Sequence, residues 1–420
     1  MGATGRGPRD LREPVAQTET SPAPVAGAPP AGDVLVRVRG LVKHFPVQSS
    51  KLLRRNREVV HAVEGIDLDV RRGETLGIVG ETGCGKSTLA RCIARLYDIT
   101  AGEIIFDGRD ISRLGPRQMR PLRREMQVVF QDPYGSLNPR RRVGSIIGDP
   151  FAIHGLADGA ERKRRVQEVM ELVGLKPEHY NRFPAEFSGG QRQRIGVARA
   201  LALQPKLIIC DEPVSALDVS IQAQIINLLA DLQRNLELTY IFIAHDLSIV
   251  RHVSDRVAVM YLGKVAELGA TRDLYGAPRH PYTNALLSAV PVPDPSESAK
   301  RQRIVLVGDV PSPIHPPTGC RFHPRCPKAA AQCVTDEPAL VGRLGDSNGH
   351  LAACHFPVSP SDDLSTATPT IPDSERGGMA EPMPTAIDDL PVVAVRPSLT
   401  SQVVPERMME ELLRHEDEER

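Results

Sequence analysis

The chain has 420 residues, enough for two or three domains, and 52 Lys and Arg residues balance 52 Asp and Glu residues, so the formal net charge is zero. This balance argues against a protein that coats nucleic acid, which needs a basic surface. We find no apolar run near the roughly eighteen residues of a membrane-spanning helix and no signal-peptide pattern. We therefore expect a cytosolic protein, whose seven Cys residues are reduced thiols or metal ligands.

Both ends of the chain have compositions typical of disorder. Residues 1–32 are rich in Pro, Ala, Gly and Thr, and residues 358–420 are similar, with room for a short charged helix at the end. A Pro-rich stretch at 290–298 (VPVPDPSES) predicts a linker to a small Cys-bearing segment. We therefore expect the ordered part of the chain to lie between the two tails.

Short apolar strands alternate with amphipathic helices between the tails, which predicts an α/β fold. The expected strands are 34–39, 66–70, 75–80, 207–212 and 240–246. A helix after the third strand is expected to place four side chains on one buried face, namely Leu89, Cys92, Ile93 and Leu96. Two of the later strands end in polar residues, and an open α/β sheet places its site at the carboxyl ends of its strands.

The stretch GETGCGKST lies directly between the third strand and its helix and fits the pattern G-x-x-x-x-G-K-[ST]. Small residues let successive backbone N–H groups surround phosphates, while the Lys reaches the terminal phosphates and the Ser hydroxyl binds Mg²⁺. The pattern predicts a nucleotide-binding P-loop made of Gly80, Glu81, Thr82, Gly83, Cys84, Gly85, Lys86, Ser87 and Thr88.

The strand LIICDE ends in two carboxylates. Asp211 is placed to hold Mg²⁺, and Glu212 is placed to polarise a water towards the γ-phosphate. A structural carboxylate in a salt bridge is the alternative for Glu212. His245 ends another strand as a candidate γ-phosphate sensor, and Gln131, after VVF, is a candidate contact to Mg²⁺ or the attacking water.

The stretch FSGGQ is a second glycine-rich candidate for binding an anion, and its purpose beside the P-loop needs an explanation. Ser188 is a good helix N-cap, and Gly189 and Gly190 allow a close backbone approach ahead of Gln191. The following helix is expected to pack through Ile195, Ala198 and Leu201. Because no second Lys-bearing loop accompanies it, this helix terminus makes sense if it closes over a nucleotide held by another copy of the fold.

The motifs GETGCGKST, FQDP, FSGGQ, LIICDEP, SALD and AHD, in this order, resemble the ATPase subunit of an ABC transporter. In that family two ATPase domains dimerise head to tail, with each ATP between one P-loop and the other subunit's signature. The resemblance implies that Ser188 to Gln191 serve the partner's ATP and that Ser215 to Asp218 cross the dimer interface. It also implies an adenine-stacking aromatic upstream of the P-loop, for which Phe45 is the best candidate, although the basic stretch 51–58 lengthens the usual spacing.

Two longer stretches, PRHPYTNALLSAVP and FQDPYGSLNPRR, resemble the oligopeptide/dipeptide importers, the second of them closest to the second of their paired ATPases. The expected architecture is a P-loop ATPase with a mixed sheet at 33–275, including a helical signature subdomain at about 132–200, and a Cys-rich C-terminal extension at 276–357. The resemblance implies a sister ATPase, two membrane permeases, an extracytoplasmic binding protein, and a position at the cytoplasmic face of the cell membrane.

Four cysteines in the C-terminal part are spaced C-x5-C-x6-C-x20-C and suggest a metal centre, namely Cys320, Cys326, Cys333 and Cys354. Zinc sites favour closer Cys pairs, whereas the importer branch carries a similar pattern that binds a [4Fe–4S] cluster. The resemblance therefore favours the cluster, with zinc and unliganded thiols as alternatives.

Three other functions compete with peptide import. A soluble ABC ATPase acting on DNA or ribosomes would show coiled-coil or zinc-hook inserts or a second cassette, which we do not find. An iron–sulfur regulatory protein would need a DNA- or partner-binding element, which we also do not find. A third alternative keeps the importer but changes its cargo to nickel or another small solute.

Overall fold

The computed structural model describes residues 33–47, 58–132, 135–290, 303–342, 349–359 and 362–365. The expectations for the tail 1–32, for nearly all of the basic stretch 51–58 and of the linker 290–298, and for residues 366–420 lie outside these ranges.

The strands of the described residues form two sheets, and all five strands expected from the sequence are present. Their bounds are β1 Val34–Pro46, β2 Val59–Arg71, β3 Thr75–Val79, β4 Ala101–Phe106, β5 Arg109–Asp110, β6 Met126–Val129, β7 Leu207–Asp211, β8 Thr239–Ile243, β9 Arg256–Tyr261, β10 Lys264–Ala270 and β11 Leu351–Ala352.

The helices alternate with the strands after β3. Their bounds are α1 Lys86–Ile93, α2 Pro116–Glu125, α3 Val143–Ile153, α4 Gly159–Leu172, α5 Gly189–Leu201, α6 Val219–Leu236, α7 Leu247–Val253, α8 Thr271–Gly276, α9 Pro281–Ser288 and α10 Ala331–Thr335. Short 3₁₀ turns lie at Pro177–Asn181, Pro184–Glu186 and His323–Arg325.

The larger sheet has the strand order β11-β10-β9-β3-β8-β7-β6. Strands β9, β3, β8, β7 and β6 are parallel, whereas β10 and β11 are antiparallel to their neighbours. The central strands β3, β7 and β8 are buried along their whole length, as expected for strands covered on both faces. The predicted mixed α/β sheet is therefore confirmed, and the carboxyl ends of β3, β7 and β8 lie at one edge.

The smaller sheet is antiparallel, with the order β2-β1-β4-β5. One hydrophobic cluster contains the buried side chains of this smaller sheet, those of α1 and one set of buried side chains from the larger sheet. The other set from the larger sheet packs with α3 to α7 and with the C-terminal part of the chain in a second cluster. The larger sheet thus separates two cores, and α1 carries the loop after β3 into the first.

Helix α1 differs from the expectation at its end. Leu89, Cys92 and Ile93 are fully buried as predicted, but the helix ends at Ile93 and Leu96 is exposed. The reason is the left-handed conformation of Arg95 (φ 52°), whose N–H donates to the carbonyl of Cys92 at 3.0 Å and turns the chain out of the helix. The prediction for Leu96 is wrong because the 3.6-residue period carries no information about where a helix stops.

Three helices, α3, α4 and α5, lie between β6 and β7 in the chain and pack on one another. The packed face expected for α5 is confirmed, since Ile195, Ala198 and Leu201 are buried. The C-terminal part of the chain has little regular structure beyond α9 and α10, but Phe322 and several neighbours join the second core. This places both regions against the larger sheet.

Candidate nucleotide site

The loop between β3 and α1 is shaped by its glycines. Gly80 (φ 150°) and Gly85 (φ 105°) have positive φ, and a Cβ on them would lie 2.2 Å from the carbonyl oxygen of Met260 and 2.1 Å from that of Ala62. Only glycine allows the backbone to pass so close to its neighbours. Gly85 is also the N-cap of α1, so the loop leads directly into a helix N-terminus, where backbone N–H groups favour an anion.

Lys86 and Ser87 begin α1 and reach back over the loop. The Lys86 ammonium is buried and donates to the carbonyl oxygens of Gly80 at 2.8 Å and Glu81 at 3.0 Å. The Ser87 hydroxyl donates to Asp211 Oδ1 at 2.7 Å, which joins the loop to the end of β7. The predicted pair of Ser87 and Asp211 is thus brought together, and its two hard oxygens are donors of the kind that Mg²⁺ takes.

Glu212 follows β7 and has a left-handed backbone (φ 48°), which is uncommon for a residue with a side chain. Its carboxylate accepts a hydrogen bond from Gln131 Nε2 at 2.8 Å, and His245 Nδ1 lies 4.0 Å from the same oxygen. The three candidate catalytic side chains, which come from the ends of β6, β7 and β8, therefore converge on one point beside Asp211. A groove of about 680 Å³, lined by Gln131 and Asp211, opens here.

Phe45 lies on β1 and packs edge-to-face on Tyr97, with ring centroids 5.5 Å apart. Arg91 donates to the Tyr97 hydroxyl at 3.1 Å and approaches Asp211 Oδ2 to 3.6 Å. This chain of contacts links the candidate adenine-stacking ring to the candidate Mg²⁺ ligand. The sequence motifs did not single out Arg91 or Tyr97. The signal for Arg91 was its position in the last turn of α1, four residues after Ser87.

The FSGGQ stretch and the SALD loop form separate helix starts. Ser188 caps α5 by accepting from Gln191 N–H at 3.4 Å, and its own N–H donates to Gln191 Oε1 at 3.1 Å. Gly189 and Gly190 are the first residues of α5, and Asp218 is the N-cap of α6. In the described residues, the hydrogen bonds of Ser188 run to its own helix and not to the P-loop.

The P-loop is also held by residues that the motifs did not reveal. The N–H of Glu81 donates to the Tyr282 hydroxyl at 2.9 Å, and Arg325 donates to the Glu81 carboxylate at 2.8 Å. Both partners lie more than 200 positions along the chain, so no local pattern predicts the contacts. Cys84, in contrast, is buried, and burial raises the pKa of its thiol, which favours the expected role as a loop position rather than a nucleophile.

The comparisons with known proteins agree with this geometry. The ABC transporter family profile matches residues 63–215, and the profile described as oligopeptide/dipeptide transporter, C-terminal region, matches residues 266–333. The dimeric post-hydrolysis structure of the ATP-binding cassette MJ0796, bound to ADP and Pi, superposes with a TM-score of 0.50 at 28% identity, over 56% of this chain and 99% of that chain.

Two curated relatives extend over most of the chain. The oligopeptide transport ATP-binding protein AppF of Bacillus subtilis is 53% identical over 77% of this chain and 98% of its own length. The probable peptide ABC transporter ATP-binding protein y4tS of Sinorhizobium fredii is 49% identical over 80% of this chain and 96% of its own length. The similarity therefore includes the C-terminal part as well as the ATPase fold.

The expectation of a [4Fe–4S] cluster is wrong. Within the described residues, the group of three or more His, Cys, Asp or Glu side chains with ligand atoms within 4.8 Å of one another is His44, His61 and Glu64, and it contains none of the four cysteines. The names of the relatives describe ATP-binding proteins and no iron–sulfur protein. Cys320, Cys326 and Cys333 are buried and belong to the second core.

The His44, His61 and Glu64 group is itself occupied by internal bonds. Both imidazoles lie 2.8 Å from Glu64 Oε2, and the Arg321 guanidinium approaches the same oxygen to 3.7 Å. The carboxylate thus already has cationic and hydrogen-bonding partners.

No helix in the described part of the chain has both the length and the hydrophobicity needed to cross a membrane. One family assignment explains the P-loop and the side chains near it, the two family profiles, and the near-full-length relatives at about half identity. The chain therefore belongs to the ATP-hydrolysing subunits of ABC transporters, in the oligopeptide/dipeptide transporter family.

Proposed function

We propose that this chain powers the import of oligopeptides or dipeptides across the cell membrane, as a peripheral subunit at its cytoplasmic face. The observation that carries the proposal is the relative from Bacillus subtilis, named for oligopeptide transport, which matches over 98% of its own length. The C-terminal match to the oligopeptide/dipeptide transporter profile supports the same cargo.

The residues of the site fit ATP and Mg²⁺. Gly80 and Gly85 leave space where a Cβ would clash, Lys86 presents a buried ammonium at the loop, and Ser87 and Asp211 pair two hard oxygens. We assign Lys86 to the β- and γ-phosphates and Ser87, Asp211 and Gln131 to Mg²⁺. When bound, the metal ion neutralises phosphate charge during hydrolysis.

Glu212 is proposed to orient and polarise the attacking water. Its carboxylate is held by Gln131 at 2.8 Å and lies within 4.0 Å of His245, so three groups with different hydrogen-bonding roles surround one position. We assign His245 to sensing the γ-phosphate and Phe45 to stacking on adenine. A salt-bridged structural role for Glu212 is less well supported, because the described contacts of its carboxylate are a neutral amide and an exposed imidazole.

We further propose that this chain pairs head to tail with a sister ATPase, so that Ser188 to Gln191 serve the partner's ATP and the Ser215 to Asp218 loop crosses the interface. The capped start of α5 presents free backbone N–H groups, and Val219, beside Asp218, is 81% exposed although hydrophobic. The dimer in the solved MJ0796 cassette supports such pairing by similarity.

Two permeases and an extracytoplasmic binding protein complete the proposed importer. The segment between Gln131 and Ser188 is the proposed docking surface for the permeases, and the exposed apolar side chains of Ile153, Leu172 and Phe183 support this. We divide the chain into an ATPase domain at 33–275 and a C-terminal extension at 276–357.

The test is to purify the tagged full-length chain from its native membrane and identify its partners by mass spectrometry. We expect a second ATPase and two multi-span permeases. Recovery of ribosomes, DNA or soluble proteins alone would favour a soluble ABC ATPase and contradict the proposal. If nickel, and not peptides, stimulates ATP hydrolysis by the reconstituted complex, the chain is still an importer subunit but its cargo is nickel.

A further inference from the structure

The C-terminal extension reaches the start of the P-loop through two side chains. Arg325 donates to the Glu81 carboxylate at 2.8 Å, and the Tyr282 hydroxyl accepts the Glu81 N–H at 2.9 Å. Glu81 directly follows Gly80, in the loop proposed to hold the phosphates. One residue of the loop is thus bound at its backbone and at its side chain by the same distant segment.

The ion pair lies in a largely apolar setting. Arg325 is nearly buried, and its guanidinium also lies 3.4 Å from the Tyr261 hydroxyl. Burial raises the pKa of Tyr261 to about 12, so this hydroxyl keeps its proton. Tyr261, Tyr282 and Phe322 pack ring against ring around the pair. Because the Arg325 side chain is only 10% exposed and that of Glu81 is 26% exposed, water screens their attraction only in part.

A second contact supports the loop from the other side. Arg321, four residues before Arg325, donates to the carbonyl of Leu262 in the turn between β9 and β10. In that turn, the N–H of Gly263 donates to the carbonyl of Cys84 at 2.8 Å. The extension therefore holds the P-loop directly through Arg325 and indirectly through Arg321.

We propose that the C-terminal extension is part of the nucleotide site, with Arg325 as a positioning residue that neutralises Glu81 and so lets the loop accept the triphosphate. The inference rests on the proposed assignment of the P-loop to ATP. A free carboxylate beside the phosphates repels their charge, and this repulsion weakens slowly with distance in a partly dry site. The extension thereby sets the affinity of the site for ATP, whatever role it has towards cargo or permeases.

The test measures ATP affinity of the full-length chain with a fluorescent ATP analogue, and KM and kcat in the assembled transporter. Arg325→Ala is expected to weaken binding about tenfold and to raise KM with little change in kcat. The same substitution on a Glu81→Gln background is expected to change affinity less than about twofold, because no carboxylate is left unpaired. A merely structural Arg325 predicts the same loss on both backgrounds.

Lys328→Ala is the matched control, because it removes an ion pair between the extension and Asp362, which follows the extension in the chain. It is expected to leave ATP affinity unchanged. Equal losses in Lys328→Ala and Arg325→Ala, or no rescue by Glu81→Gln, would overturn the inference. If Arg325→Ala does not fold, Arg325→Lys provides the same comparison on both backgrounds, with a smaller expected loss.

Lys86→Ala separates this inference from the proposed function. Loss of binding in Lys86→Ala together with normal binding in Arg325→Ala would reject the role of Arg325 alone. Normal binding in Lys86→Ala would reject the P-loop assignment itself.

Discussion

Glu212 receives a hydrogen bond from a side chain 81 positions away, because the strands that carry the two residues are neighbours in the sheet. The amide of Gln131 is neutral, so this bond orients the Glu212 carboxylate without supplying a full counter-charge. A carboxylate held in this way keeps its charge available for the attacking water, as the proposed role requires.

The change Glu212→Gln tests that role. The new amide can still accept the hydrogen bond from Gln131, so the geometry is kept while the negative charge is lost. We expect ATP binding within about threefold of the parent and hydrolysis slower by at least about a hundredfold. Steady-state phosphate release and equilibrium ATP binding provide the measurements.

Glu171→Gln, on the exposed face of α4, is the control and should hydrolyse ATP normally. Near-normal turnover by Glu212→Gln would contradict the assignment and favour the structural carboxylate.

Helix α5 is the element that the proposed head-to-tail pairing assigns to the partner's nucleotide. Ser188 and Gln191 cap each other's backbone, so the remaining N–H groups of the first turn stay available to an anion. Since the bonds of Ser188 in the described residues stay within its own helix, the anion is expected from the partner ATPase.

The change Ser188→Ala removes the hydroxyl of the cap and destabilises the start of α5 by about 1 kcal/mol. We expect unchanged ATP affinity of the isolated chain but slower turnover in the assembled transporter. Ser188→Thr, which keeps a hydroxyl, should lose much less. A weaker ATP affinity of the isolated chain would indicate that α5 acts on its own P-loop and would count against head-to-tail pairing.

The C-terminal extension is joined to the larger sheet through the buried carboxylate of Glu267 on β10. This carboxylate accepts backbone N–H bonds from Arg279 at 2.8 Å and His280 at 2.9 Å, and His350 Nε2 lies 2.7 Å from it. Through the same segment, Tyr282 and Arg325 reach the P-loop. The fold of the whole molecule, and not one motif, therefore connects sheet, extension and nucleotide site.

This connection predicts a dependence of stability on pH. Burial lowers the pKa of His280 to about 4, from the 6.5 of an ordinary histidine, and Glu267 offsets only part of that effect. Between these two values the unfolded chain binds a proton at His280 and the folded chain does not. The contribution of His280 to stability is therefore full above pH 6.5 and decreases as the pH falls towards 4. The slope is at most about 1.4 kcal/mol per pH unit.

His280→Asn should flatten this part of the profile, because an amide can accept the N–H of Tyr282 but does not titrate in this range. The measurement is urea unfolding of both proteins between pH 7 and pH 4.5, comparing slopes rather than absolute stabilities. Equal slopes would show that other groups control the acid response.

Much of the molecule follows from local rules. Hydrophobic periodicity, glycines and helix-start signals, each within a few residues, predict the strands, the mixed sheet, the packed face of α5 and the P-loop. Residues close together in the sequence therefore suffice for these predictions. The end of α1 did not follow, because the left-handed Arg95 that stops it fits no local rule. The prediction of an iron–sulfur cluster was wrong because the spacing of cysteines along the chain does not determine whether their thiols bind a metal.

The sequence by itself therefore identified this chain as an ABC-type ATPase with a P-loop motif between β3 and α1, because the motifs that carry the resemblance are contiguous stretches of sequence. Only the tertiary structure decided that Gln131 meets Glu212, that Arg91 meets Asp211 and that Arg325 meets Glu81. These contacts join residues far apart in the chain. Their existence depends on the summed packing of two sheets and two cores, which no short stretch of sequence contains.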